Sequence, residues 1–167
     1  MSDYFRAALH STWSRNGAYA QRLVGDLSAA QFLAQPVPGR VINHPAWVLC
    51  HLNVYAEIVA RVLRSEAVED PLGRPFARGS KVTQGSGDYP EPSAIVGAFA
   101  RLHEEVGAAL AGASDALFAS PVPLERLRPV APTVGELLVM LLIKHESFHL
   151  GQLSAWRRAM GLAPVEM

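Results

Sequence analysis

Residues 145–149, His-Glu-Ser-Phe-His, contain the pair of histidines whose spacing most suggests chemistry in this sequence. His145 and His149 are four residues apart, so on an α-helix they lie on one face, about one turn apart. Two imidazoles in that arrangement can bind the same divalent metal ion. The string also matches the H-E-x-x-H pattern of zinc proteases, in which the glutamate, here Glu146, is the general base. These two interpretations predict different surroundings for the histidines.

The protease interpretation requires features that the sequence lacks. No histidine follows His149, and Gly151 comes one residue too early for the H-x-x-G-x-x-H spacing of one protease class. The only downstream glutamate is Glu166, beyond the helix stop and next to the end of the sequence. No strand pattern precedes the motif to hold a peptide substrate. A zincin-type metalloprotease is therefore the least favoured interpretation.

A third histidine, His51, interrupts the apolar face of an earlier helical segment, between Trp47 and Val54. Buried imidazoles need polar partners. Histidines from two helices that converge on one core suggest a shared partner, and a metal ion is the natural one. Three histidine ligands leave a position open for water or substrate. The alternative is a purely structural bundle whose histidines satisfy one another through water.

Four long helical patterns position these residues, with no strand alternation between them. They cover about residues 4–24, 45–65, a segment that begins near 93, and 133–161. The fourth has the clearest bounds, because Thr133 and Glu136 form a capping box and Gly161 is a stop signal. A Gly- and Pro-rich stretch over residues 66–92 has no assigned role. The fold class predicted is all-α, a four-helix bundle with long crossover connections and one or two short extra helices, in a single domain over residues 1–167.

On the fourth helix, a projection at about 100° per residue predicts which side chains face the core. His145, His149 and Gln152 fall in the middle of the inner face. The apolar residues on that face are Val134, Leu138, Leu141, Leu142, Phe148, Leu153, Trp156 and Ala159. The outward residues are Lys144, Glu146, Ser147, Arg157 and Arg158.

Composition excludes several function classes. The formal net charge is zero with no basic run, so nucleic acid is not an expected partner. No apolar stretch reaches the roughly 20 uncharged residues of a membrane span. The first residues lack a secretory apolar core, and the single cysteine, Cys50, excludes an internal disulfide. A cytoplasmic protein without membrane contact is expected.

Two segments resemble the DinB/YfiT-like superfamily of metal-dependent enzymes. NHPAWVLCHLNVYAEIVARVL resembles its second-helix motif, a tryptophan four residues before a metal-binding histidine, here Trp47 and His51. TVGELLVMLLIKHESFHLGQLSAWRRAMGLAP resembles its final helix, in which H-x-x-x-H is followed by G-Q-L and a closing arginine and glycine. QPVPGR also resembles the first connection of the family.

The resemblance implies a ligand set, a cofactor and partners. His51, His145 and His149 would bind one divalent ion per chain, zinc or nickel foremost, with iron or manganese also open, and water would complete the shell. Relatives commonly form homodimers. Some are transferases or isomerases that use a low-molecular-weight thiol with a small-molecule substrate. Glu146 becomes incidental, since the family accepts many residues there.

Four further residues are candidates for the pocket or for contacts behind the ligands. Asn16 is expected to line the pocket or to hydrogen-bond a ligating histidine, and an interhelix hydrogen bond is the alternative. Gln152, one turn beyond His149, could orient a ligand or a substrate, or form a structural pair. Tyr55 could present its hydroxyl to the pocket or pack in the core, and Trp47 is also a core candidate.

The remaining histidines and the cysteine have weaker claims to the site. His44 is about 10 Å from His51 along the helix axis, too far to share an ion, and is expected at the helix start or pocket rim. His103 is the best candidate for an extra ligand. His10 is expected to face outward. Cys50 is expected to be a packing residue.

The leading hypothesis is a metal-dependent enzyme that activates a water or a thiol for attack on a small electrophilic substrate. It would be a thiol transferase or a hydrolase, and the sequence does not choose between these. The alternative from another class is a non-catalytic, stress-associated bundle that binds a metal or a ligand.

Overall fold

A computed structural model describes residues 3–166 of the chain, and this part is all-helical with no strand. The long helices are α1 (Asp3–Val24), α2 (Pro45–Leu63) and α3 (Pro92–Gly112). A short α4 (Asp115–Ala119) precedes three consecutive segments that form the final helix: α5 (Val134–Leu138), a π-helical segment (Val139–His145) and α6 (Glu146–Ala159). Three 3₁₀ turns occupy Gln31–Leu33, Ser86–Asp88 and Glu125–Leu127. The predicted all-α bundle is confirmed.

Local sequence signals set the helix ends as predicted. Pro45 occupies the first turn of α2, and the side chain of His44 caps it by accepting a hydrogen bond from the backbone N–H of Trp47. Thr133 and Glu136 form the capping box at the start of the final helix. At the other end, Gly161 takes a φ of 72°, which only glycine adopts without strain.

In the bundle, α1 and α2 are diagonal to each other, and each packs beside α3 and the final helix. The final helix therefore presents one side to α2 and another to α1. Helix α2 is buried along most of its length. It is the one described helix long and apolar enough to cross a membrane, yet 72% of that window is buried inside the structure. That burial is typical of the core helix of a soluble bundle.

The predicted inner face of the final helix is partly wrong. Phe148 is 63% exposed, whereas Glu146 and Arg157 are each only 2% exposed. The cause is the π-helical segment Val139–His145, which closes i→i+5 hydrogen bonds and so fits more residues into each turn. A projection at a constant angle loses the phase across such a segment, and residues downstream are rotated away from their predicted positions. Ala159, also predicted inward, is exposed.

Candidate metal centre

The structure brings together the three histidines that the sequence singled out. His51 comes from the middle of α2, and His145 and His149 come from the end of the π-helical segment and from α6. One nitrogen from each ring can be chosen so that all three lie within 4.8 Å of one another. The Nε2 atoms of His51 and His145 are 2.9 Å apart. The three imidazoles are thus close enough together to share one small partner.

The outer nitrogen of His51 is held by the loop between α2 and α3. Its Nδ1 lies 2.5 Å from the backbone carbonyl oxygen of Phe76, so Nδ1 carries the proton and donates it. A neutral His51 therefore has a bare Nε2 that points at the cluster. Phe76 has a φ of 61°, an unusual conformation for a bulky residue that accompanies this contact.

The outer nitrogen of His149 has a side-chain partner. Its Nδ1 lies 2.9 Å from Oε1 of Gln152, which also accepts a hydrogen bond from the Nδ2 of Asn43. With Nδ1–H donating to the amide oxygen, the lone pair of Nε2 is available to the cluster. Contacts of this kind orient the ligating histidines of metal sites and set their tautomers. Gln152 is thus positioned behind His149, at the place where the sequence suggested a supporting residue.

His145 faces the cluster through Nε2 and, unlike His51 and His149, has no described partner behind its other nitrogen. Its Nδ1 is buried and has no hydrogen-bond partner among the described residues. Two nitrogens bound to a tetrahedral zinc at about 2.0–2.1 Å lie about 3.3 Å apart. The 2.9 Å between the Nε2 atoms of His51 and His145 therefore has to widen by a few tenths of an ångström. The residues present fit a divalent ion with that small adjustment.

Burial keeps the cluster uncharged. Desolvation, followed by repulsion from the neighbouring histidines, lowers the pKa of His145 to about 3. Desolvation and repulsion from His51 lower the pKa of His149 to about 4, although the hydrogen bond that His149 donates to Gln152 opposes this shift. Desolvation also lowers the pKa of His51. Neutral imidazoles are the form that binds metal, so these side chains are available near neutral pH.

Aromatic side chains frame the cluster. Trp47 stacks on His51 with ring centroids 4.7 Å apart and planes 13° from parallel. Tyr55 meets the rings of His51 and His145 edge-on, and its hydroxyl accepts a hydrogen bond from the backbone N–H of Arg78. Tyr55 and the three histidines line a cavity of about 360 Å³. The exposed side chain of Phe148 lies at this cavity, so the cluster is accessible to a small molecule.

Two predicted contacts with the cluster do not form. Asn16 donates to Oε2 of Glu146 and to the backbone carbonyl of Leu142, so it makes the interhelix contact rather than one with a histidine. His103, the candidate for an extra ligand, has its Nε2 2.6 Å from Oε1 of Glu146. Both residues reach the final helix on the side away from the cavity, because Glu146 is rotated inward. Glu146 is bonded to other side chains and is not placed as a general base above the histidines.

The other candidates lie near their predicted places. His44 is fully buried at the start of α2, and its Nε2 is 2.8 Å from the carbonyl oxygen of Thr83. His10 is exposed. Cys50 is buried, and desolvation raises the pKa of its thiol to about 12, which makes it unreactive near neutral pH.

Sequence reasoning missed the part that the loop over residues 66–92 plays. Its backbone supplies the carbonyl of Phe76 to His51 and the N–H of Arg78 to Tyr55. The sequence features that could have indicated this role are the length of the loop and its glycines. Two of them, Gly73 and Gly79, have positive φ on either side of Phe76. No side-chain pattern can reveal which carbonyl oxygen meets a histidine.

Together, the bundle and the cavity-lining cluster define an all-α protein with three histidines able to hold one metal ion. The chain belongs to the DinB superfamily, whose family model matches residues 12–153. That match includes all three histidines, the whole of α2 and of the π-helical segment, and α6 as far as Leu153. Comparison with curated proteins finds no match.

Proposed function

We propose that this chain is a divalent-metal-dependent enzyme acting on a small molecule at the His51, His145 and His149 cluster. The observation that carries the proposal is the clustering of three neutral imidazoles, two of them with their outer nitrogens hydrogen-bonded, at a cavity of about 360 Å³. That volume is within the usual range for small-molecule sites. Membership of the DinB superfamily is compatible with this proposal.

The chain supplies the ligands, their orientation and the access. Phe76 and Gln152 hold two of the imidazoles in the tautomer that leaves Nε2 bare. A divalent ion held by the three rings, with zinc or nickel as the first choices, would act as a Lewis acid that lowers the pKa of a neighbouring water or thiol. The cavity leaves that side of the cluster open to a co-substrate. Thiol transfer and hydrolysis both begin in this way.

Elemental analysis of untagged protein tests the site. Wild type should carry about one zinc, nickel, iron or manganese per chain, and His51→Ala and His145→Ala should each lose it, because each change removes one of three ligands. Glu146→Gln is the matched control and should keep the ion, since Glu146 bonds to His103 and Asn16 instead. A wild type that binds no metal after incubation with excess zinc and nickel would refute the proposal.

Reaction type requires a second measurement. Cobalt-substituted protein should change its visible spectrum on addition of a free thiol if the enzyme is a thiol transferase. A hydrolase should turn over ester or amide substrates without any thiol. Stoichiometric metal with no turnover in either screen would favour the non-catalytic, stress-associated binding protein.

We also propose that the chain forms a homodimer and acts in the cytoplasm. A second cavity, of about 650 Å³, adjoins the first, and its charged lining residues are Asp115, Glu136 and Lys144. Its apolar lining consists of Phe5, Phe118, Val130, Val139 and Met140. Opposite charges beside one apolar surface suit a two-fold contact with a second copy. Light scattering should give a dimer for wild type and a monomer for Val139→Glu, and a monomeric wild type would refute the dimer.

A further inference from the structure

The charged side chains that line the cavity beside the three histidines are both positive. Two of its lining residues, Arg78 and Arg126, carry guanidinium groups, and none of the aspartates or glutamates that the structure describes lines it. A ligand that enters this cavity therefore meets positive charge without a competing carboxylate.

Only one of the two arginines is free to bind a ligand. Arg126 donates from Nε and Nη2 to the two carboxylate oxygens of Asp70, at 2.7 and 3.0 Å, and this pairing lowers the pKa of Asp70. Its charge is thus largely neutralised. The guanidinium of Arg78 has no hydrogen bond or ion pair with any described residue, and the residue is exposed.

Arg78 is fixed in place relative to the cluster by its backbone. Its N–H donates to the hydroxyl of Tyr55, at 3.1 Å, and Tyr55 touches His51 and His145 edge-on. The preceding Ala77 is fully buried. A free cation is therefore attached to an ordered stretch of backbone beside the site.

The rest of the cavity is apolar, lined by Leu127, Val130, Met140, Leu141 and Phe148. We infer that the cavity takes an organic anion with an apolar body, and that Arg78 binds its anionic group. This inference rests on the proposed function, because it assigns the substrate class of the same site. A guanidinium pairs well with a carboxylate or phosphate, and the apolar wall takes the remainder of the molecule.

A pair of isosteric probes tests the inference. 3-Phenylpropanoate and its neutral amide have nearly the same shape, so their affinity ratio reports the charge preference. The ratio is measured by NMR titration of the 167-residue chain, both metal-free and zinc-loaded, for wild type, Arg78→Ala and Arg78→Lys. Arg40→Ala is the matched control, because Arg40 is also an exposed loop arginine but does not line the cavity.

Wild type should bind the carboxylate about tenfold more tightly than the amide, as for one charge-assisted contact. The ratio should fall to near one in Arg78→Ala, fall only partly in Arg78→Lys, and stay unchanged in Arg40→Ala. Equal affinity for both probes in wild type would overturn the inference. So would a preference that survives in Arg78→Ala, which would place the anion on Arg126 or on the metal. Because the ratio is also measured on metal-free protein, it can fail or succeed independently of metal binding.

Discussion

His145 and Glu146 are neighbours in the chain, yet they enter two different buried polar sites. His145 joins His51 and His149 in a cluster without a carboxylate, beside a cavity. Glu146 meets His103, which is stacked flat on Trp13 with ring centroids 3.7 Å apart. In the first site the inner nitrogens are left for a shared partner. In the second, the imidazole nitrogen is already bonded to a carboxylate.

This difference shows that the role of a buried histidine depends on which groups its two ring nitrogens contact. The partners behind the cluster, Phe76 and Gln152, are uncharged acceptors that leave the inner lone pairs bare. At the other site the acceptor is Glu146, whose pKa is raised by burial against the hydrogen bonds from His103 and Asn16. The pair joins α3 to the final helix and is expected to contribute to stability, while the cluster contributes to binding.

The largest effect on stability should come from removing one member of the His103–Glu146 pair. His103→Ala leaves the carboxyl of Glu146 buried and without its main partner, and should lower the free energy of unfolding by about 3–5 kcal/mol. Urea denaturation measures the change. The double variant His103→Leu with Glu146→Leu should recover most of the loss. A loss below about 1 kcal/mol in the single variant would mean that the pair is not a stabilising contact.

A smaller effect is expected behind the cluster. Gln152→Ala removes the acceptor for Nδ1 of His149 and should weaken zinc binding about 10- to 100-fold, as for other residues that orient metal ligands. Competition with a chromophoric chelator measures the affinity. His103→Ala serves as the comparison, because it should leave zinc affinity nearly unchanged. Similar losses in both variants would contradict the separation of the two sites.

Two helical glycines give a matched test of packing beside His103. A Cβ on Gly17 would lie 2.5 Å from Nδ1 of His103, whereas a Cβ on Gly151 would have no described atom within 4 Å beyond its own stretch of helix. Gly17→Ala should therefore destabilise the protein by about 1–3 kcal/mol through overpacking. Gly151→Ala should stabilise it by up to about 1 kcal/mol through helix propensity. Thermal unfolding of both variants measures these changes. A Gly17→Ala variant as stable as wild type would show that the His103 ring moves freely.

The smallest effect concerns an ion pair with one buried partner. Arg157 is 2% exposed, and its hydrogen bonds lower the pKa of Asp26, whose side chain is 60% exposed. As the pH falls, the unfolded chain protonates Asp26 first, so the stability from this pair is present above about pH 4 and is lost below it. The stability difference between wild type and Asp26→Asn should shrink as the pH falls from about 5 to about 2.5. A constant difference would rule out the ionised pair as its source.

Much of the bundle and of the cluster follows from local sequence rules. Pro45, the capping box at Thr133 and the glycine at 161 set helix ends through contacts within a few residues. The three histidines stood out because polar side chains interrupted an apolar face. Since ligand pairs one turn apart stay together in any helix, the pairing of His145 with His149 did not depend on the exact phase.

The errors have one physical cause each. The π-helical segment changed the phase of the final helix, so Phe148 was predicted inward and Glu146 outward. The role of the loop over residues 66–92 was missed because it depends on non-local backbone contacts. The carbonyl of Phe76 reaches a histidine 25 positions away in the chain. His103 was a candidate ligand because it lies on the inner side of its helix. Its partner is instead the carboxylate of Glu146, a residue that was predicted to face outward.

The hydrogen bond between Nδ1 of His51 and the carbonyl of Phe76 couples closure of the loop to binding at the cluster. If the loop contact orients His51 and so strengthens binding of an ion, then a bound ion must stabilise the closed loop by the same free energy, since coupling free energies are reciprocal. The same loop bears Arg78, and the carbonyl of its Thr83 is bonded to His44 at the start of α2. Binding at the cluster would therefore also stabilise a loop that has no secondary structure over most of its length.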